Sequence, residues 1–247
     1  MARVDKNAKQ AAAREEHRRN IRKQPSLERT VETAPQKGEK FLIVCDGKNT
    51  EPSYFMQFKG LNTKIKSIEP KGKGTNTITT VEYAEELKNT GKYNDYEVWC
   101  VFDADPKPDN PNQLSNFDNA IRKANALEYN TAYSDEAFEY WLLLHFEDHQ
   151  GGAMPRALYH DKLNGYIRAI NPRAAYDANS KIITPEVFDI LMGVDEKTGK
   201  SRVDLATERA KRNEKRALDN GTWAERGSRT TVYKLVEKLR GHSEDES

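Results

Sequence analysis

The chain has 247 residues, with 40 lysines and arginines against 39 aspartates and glutamates, for a net charge of +1. That balance excludes a protein that attracts polyanions through its overall charge, so any basic surface depends on how the charges are distributed. Charged residues make up 32% of the sequence and hydrophobic ones 36%, which argues against a tight core along the full length; one large domain or two small ones fit this size.

No apolar run approaches membrane-spanning length, and the N-terminal stretch has no signal-peptide core, so a cytoplasmic protein without membrane contact is expected. Cys45 and Cys100 each lie inside an apolar run and are too far apart for a Cys-x-x-Cys motif. They are expected to be reduced core residues rather than a disulfide or a zinc site.

Residues 1–39 carry Lys, Arg, Glu, Gln and Ala with almost no large apolar side chains, the composition of a disordered basic arm. Arg18, Arg19, Arg22 and Lys23 cluster within it, a solvated face in the first instance and a contact to nucleic acid in the second.

Regular alternation starts at Phe41. The run Phe41-Leu-Ile-Val-Cys45 is apolar at every position, as in a strand buried on both faces, and Asp46-Gly47 ends it. Pro52 suits the first turn of a following helix at about 52–60, with Glu51 at its cap. A weak strand at 65–68 precedes Pro70-Lys71-Gly72-Lys73-Gly74, a basic glycine-rich turn ahead of a helix at about 78–90. Lys71 and Lys73 are candidate phosphate contacts there, although the spacing is not that of a P-loop.

The second apolar run, Val98-Trp-Cys-Val-Phe102, leads straight into Asp103-Ala104-Asp105-Pro106. A helix at about 114–127 and a strand at about 129–133 follow. Four strands interleaved with helices predict a parallel α/β sheet. Residues 134–146 then form a helix that is apolar nearly all round, capped by Ser134 or Asp135 and carrying Glu139 in its first turn. His145 is expected to be a core histidine.

Beyond Gly151-Gly152 the sequence is helical and more polar, with helices at about 155–170, 185–192, 201–219 and 230–240 and a mobile connection suggested by the breakers within 181–199. Arg209, Arg212 and Arg216 fall at i, i+3 and i+7 and make one basic stripe, either a solvated face or a track for a phosphate backbone.

The chemistry concentrates in the acids. Asp103 and Asp105, two apart, project to one side of an extended chain. If strand 41–45 lies beside 97–102, then Asp46, Asp103, Asp105 and Glu139 arrive at one sheet edge. Oxygen ligands of this kind suit Mg2+ or Mn2+, which take one or two carboxylates and complete their shell with water and substrate phosphate. Such a site supports metal-assisted phosphoryl chemistry.

Leu42-Ile-Val-Cys-Asp-Gly-Lys-Asn-Thr-Glu-Pro-Ser-Tyr-Phe55 resembles the opening motif of the RloB family. Val98 to Pro106 and Ala137 to Phe146 are similar to its second and third motifs, and Ser228 to Leu239 to its closing segment. The resemblance runs in order over about residues 40–240. It implies a Toprim-like catalytic core in a protein encoded near restriction and abortive-infection loci, often beside an ATPase partner.

On that resemblance Asp46 stands in the place of a first-strand glutamate, Asp103 and Asp105 are the Asp-x-Asp pair, and Glu51 and Glu139 are further catalytic candidates. The family usually has Glu before Gly47, so Asp46 reaches one methylene less far. The expectation is a Toprim-like parallel sheet flanked by helices at 40–150 and a helical C-terminal region at 151–247. The expected activity is a magnesium-dependent nuclease of anti-phage defence. The alternative is a non-catalytic adaptor that binds nucleic acid or an ATPase partner.

Overall fold

The computed structural model describes residues 40–60, 65–68, 77–104, 112–149, 154, 156–216 and 229–241. The expected arm at 1–39, the Lys71–Lys73 turn and Asp105 all lie outside these residues.

Four strands form one sheet: β1 (Phe41–Cys45), β2 (Ile65–Ile68), β3 (Glu97–Asp103) and β4 (Asn130–Ser134). Their order is β2-β1-β3-β4, and every neighbouring pair is parallel. The helices are α1 (Thr50–Gln57, continued by a 3-10 turn over Phe58–Gly60), α2 (Thr77–Asn89), α3 (Asn112–Ala126), α4 (Phe138–Leu144), α5 (Arg156–Ile170), α6 (Pro185–Met192), α7 (Arg202–Arg216) and α8 (Val232–Arg240).

The unbroken apolar strands are explained by what covers them. Phe41, Ile43, Cys45, Trp99 and Val101 face one core, shared with α1 and with α4 to α8. Leu42, Val44, Val98, Cys100 and Phe102 face a second core, closed by Val81 and Ala84 of α2 and Phe117, Ala120, Ile121 and Ala124 of α3. A strand buried on both faces has no polar side to show, which is why the alternation of a half-exposed strand is missing. The first core runs from Phe41 to Leu239, so the helices after residue 151 pack on the same sheet, and the described residues fall within one compact unit.

Both cysteines are free and buried, and burial pushes the Cys100 thiol up to about 12. The breakers within 181–199 frame helix α6 and the turn that follows it. Thr184 caps α6 by accepting the Val187 N–H, with Pro185 at the first helical position, and Val194 bridges Ser201 after a turn held by the Asp195 carboxylate. Helix α8 ends at Gly241, whose φ of 82° is the left-handed conformation open to a residue without a Cβ.

One connection was not foreseen. The stretch Arg229–Thr231 lies against β4: Ser134 forms an antiparallel bridge with Thr230, and the Thr231 N–H donates to the Tyr133 carbonyl at 2.8 Å. The edge of β4 is thereby covered, which removes an open row of backbone groups.

Candidate acidic active site

The order β2-β1-β3-β4 places a topological switch point between β1 and β3, because the chain leaves β1 toward β2 and returns on β1's other side as β3. In open parallel sheets the crevice beyond the strand C-termini at such a point is the usual place for a ligand. Asp46 follows β1 and Asp103 ends β3 there. The Asp103 N–H donates to Asp46 Oδ2 at 3.3 Å, while the Asp46 N–H donates to the Val101 carbonyl at 3.0 Å. The juxtaposition expected for these two aspartates is therefore present.

Asp103 also organises the next element. Its Oδ2 accepts the Phe138 N–H at 3.0 Å and so satisfies the start of α4. This corrects the expected cap. Ala137, not Ser134 or Asp135, precedes the helix and makes no side-chain cap bond, Ser134 Oγ pairs with Thr230 Oγ1, and the Asp135 carboxylate is taken by Arg229. Every residue of α4 is buried, as its apolar circumference requires.

Glu51 is likewise corrected as a cap. Helix α1 begins at Thr50 after Asn49, so Glu51 is the second residue of the helix rather than the residue before it. It is buried, and it folds back over Gly47: a Cβ built on Gly47 would lie 2.2 Å from Glu51 Oε2. The glycine is what lets this carboxylate lie against the loop that carries Asp46.

Glu139 joins the group through a residue that sequence reasoning missed. Tyr176 donates to Glu139 Oε1 at 2.9 Å and lies 3.0 Å from Thr50 Oγ1, so a chain of hydroxyls runs from Thr50 through Tyr176 to Glu139. Burial pushes the Tyr176 hydroxyl above its ordinary range, and the Glu139 and Glu51 charges add to this, which keeps it a donor. Asn164 of α5 fixes the tyrosine by bonding both its backbone N–H and its carbonyl, at 3.0 and 2.9 Å. The loop after it is tied to the acidic loop and α1, with Asn49 Nδ2 donating to the Ser180 carbonyl and the Ile183 N–H donating to Ser53 Oγ, both at 2.8 Å. No local signal marks Tyr176, since its partners are distant in sequence.

A buried ion pair stands next to this edge. Arg229 Nε lies 3.1 Å from Asp135 Oδ2, both side chains are almost fully buried, and the guanidinium sits over the Tyr133 ring. His145 is a core residue as expected, with Nδ1 bonded to the Trp141 carbonyl and Nε2 buried without a partner among the described residues; burial holds its pKa down at about 3.

The basic stripe shares one face of α7, but its members differ. Arg209 Nη1 donates to the Leu144 carbonyl at the end of α4, Arg212 pairs with Asp148 at 2.7 Å, and Arg216 is exposed at the end of the helix. The Arg209 and Arg212 guanidiniums thus bind the chain itself.

The donor chemistry suits a hard divalent ion, since the edge offers carboxylate oxygens. Among the described residues no three His, Cys, Asp or Glu side chains form a finished cage. Magnesium does not demand one, because one or two carboxylates, water and substrate phosphate complete its shell. Among the described residues no helix is long and apolar enough to cross a membrane. A family model described as RloB-like protein matches residues 41–239, most of the chain. No curated protein and no solved structure matches it.

Proposed function

Because the chain belongs to the RloB-like protein family, we propose that its acidic edge is the catalytic centre of a metal-dependent nuclease that hydrolyses phosphodiester bonds in nucleic acid. The observation that carries this reading is the bond from the Asp103 N–H to Asp46 Oδ2 at the β1/β3 switch point, with Glu51 and Glu139 both buried and both acting electrostatically on Tyr176. Asp46, Asp103 and Asp105 would hold Mg2+ or Mn2+, which when bound supplies a Lewis acid for the phosphoryl oxygens and lowers the pKa of a bound water.

In this reading Glu51, which lies against Gly47 in the loop that carries Asp46, takes a proton from the attacking water. Glu139, which accepts the Tyr176 hydroxyl, is the further carboxylate of the site and contacts the substrate. The Toprim-like character of the sheet, a role in anti-phage defence and an ATPase partner belong to this same proposal. Phosphate contacts are assigned to Lys71, Lys73 and the arginine stripe of Arg209, Arg212 and Arg216, of which Arg209 and Arg212 also bond Leu144 and Asp148.

The test is incubation of the purified chain with single-stranded and duplex DNA and RNA, with and without magnesium or manganese. Asp103→Asn keeps an oxygen for the Phe138 N–H while deleting the charge, so the fold should persist and cleavage should stop. The same variant should lose the rise in melting temperature that metal gives the wild type. Absence of cleavage and of any metal-dependent stabilisation in the wild type would overturn the proposal.

A second reading has one observation behind it. The Asp103 carboxylate is committed to starting α4, a structural task that an adaptor would retain after chemistry was lost. Asp46→Glu separates the two: a nuclease limited by the shorter side chain should cleave faster, whereas an adaptor should be indifferent.

A further inference from the structure

Beside the acidic edge lies a cleft of about 250 Å3. Glu139 and Tyr176 line it on the side of the catalytic group, Ala157 and Ala178 are its small apolar walls, and His160, Asp161 and Lys181 stand at its rim. The volume falls just below the ~300 Å3 at which drug-sized pockets begin, which leaves room for one planar heterocycle.

The rim is built with care. Lys181 has φ of 52°, a left-handed conformation that is rare for a residue with a Cβ. It is held there from several directions. The Lys181 N–H donates to the Asp177 carbonyl at 2.8 Å, Asp177 Oδ1 accepts the Asn179 and Ser180 N–H groups, and Asn49 of the acidic loop grips the Ser180 carbonyl. Strain that the surroundings impose on one residue of a cleft is a reason to look for a ligand at that residue. The Asp161 carboxylate is 3.7 Å from His160 Nδ1, and the His160 ring lies 5.9 Å from the Tyr176 ring at a tilt of 43°.

We propose that this cleft binds one nucleotide of the substrate, with its base between the alanine walls and its phosphate at Lys181. The inference rests on the nuclease reading and deepens it by stating what lies next to the scissile bond. The half-buried His160 ring gives an unstacked base an aromatic surface to lie against. Glu139 is only an acceptor when ionised, and a base that offers two adjacent donors suits it best. Guanine does so through its ring N–H and amino group, while uracil has one ring N–H. The ammonium of Lys181 meets the negative charge at the mouth. An enzyme that seats one base in this way acts on a single strand or draws the nucleotide out of a duplex.

The experiment uses the full chain without divalent metal and measures binding of guanosine, adenosine, cytidine and uridine monophosphates, guanosine, and inorganic phosphate by calorimetry. Guanosine monophosphate should bind most tightly, guanosine about tenfold more weakly, and phosphate alone not measurably. Ala178→Trp pushes an indole into the cleft from one of its walls and should weaken the mononucleotide by at least about tenfold. Lys181→Gly removes the ammonium, relieves the left-handed backbone, and should weaken the monophosphate but not the nucleoside.

The proposal is overturned if no mononucleotide binds at millimolar concentration, if phosphate alone binds as well, or if Ala178→Trp binds like the wild type. Binding without any metal-dependent cleavage would sink the nuclease reading and leave the pocket standing. Cleavage without mononucleotide binding would sink the pocket alone.

Discussion

Arg229 and Asp135, which lie 94 residues apart in the chain, form a buried ion pair at 3.1 Å beside the C-terminal edge of the sheet. Removing one charge from such a pair leaves the other desolvated and alone, which typically costs about 3–5 kcal/mol. Arg229→Met should therefore destabilise the protein by about that amount in urea unfolding. The double variant with Asp135→Asn should recover much of the loss. An equal cost of Arg229→Met in the wild-type and Asp135→Asn backgrounds would show that the two side chains are not energetically coupled.

Gly47→Ala tests the close approach of Glu51. The added methyl meets the carboxylate well inside van der Waals contact, so Glu51 or the loop must move. The expected cost is about 1–3 kcal/mol, the range for overpacking a tight site. In a Glu51→Ala background the same substitution should cost little. A thermodynamic cycle over the four proteins measures this, and an unchanged cost in that background would place the strain elsewhere.

Stability should fall in acid because of His145. In the folded chain its pKa lies at about 3, against an ordinary value of 6.5, since burial disfavours the imidazolium. Between those values the unfolded chain binds the proton and the folded chain does not, so protons drain stability as pH drops from 6.5 toward 3. Above 6.5 the term is flat. His145→Phe should abolish that part of the slope in unfolding free energy against pH. A slope identical to wild type would mean that other groups carry it.

The three arginines of α7 should separate by experiment. Arg209→Gln loses a charged hydrogen bond to the end of α4 and should cost about 1–2 kcal/mol. Arg212→Gln breaks a half-exposed pair with Asp148 and should cost less than about 1 kcal/mol. Arg216→Gln should, if the side chain meets phosphate, reduce the salt slope of nucleic-acid binding by about one. Urea unfolding and binding measured across a salt series give the two readouts.

What the sequence disclosed followed from how local the cause was. The strands were legible because Phe41 to Cys45 and Val98 to Phe102 are apolar at every position, and both faces of the sheet are covered. Asp46 and Asp103 were legible because each ends such a run, and the strand order puts those ends side by side. Glu139 stood out as a charge in a helix that is otherwise buried. Glu51 was misplaced because the helix starts at Thr50, two residues ahead of the proline that marks it. Tyr176 and Arg229 were invisible for a different reason. Each is defined by a partner 37 or 94 residues away, and no pattern in the intervening chain announces the contact. The engagement of Arg209 and Arg212 was hidden in the same way, since Leu144 and Asp148 belong to another helix and its exit.

The stretch Arg229–Thr231 against β4 has a consequence for the protein as it is being made. Synthesis runs from the N-terminus, so all four strands and Asp135 exist well before Arg229 does. Until then the carboxylate has no counter-charge and the β4 edge has no cover. The nascent chain therefore cannot finish the margin of its acidic edge while it is still short.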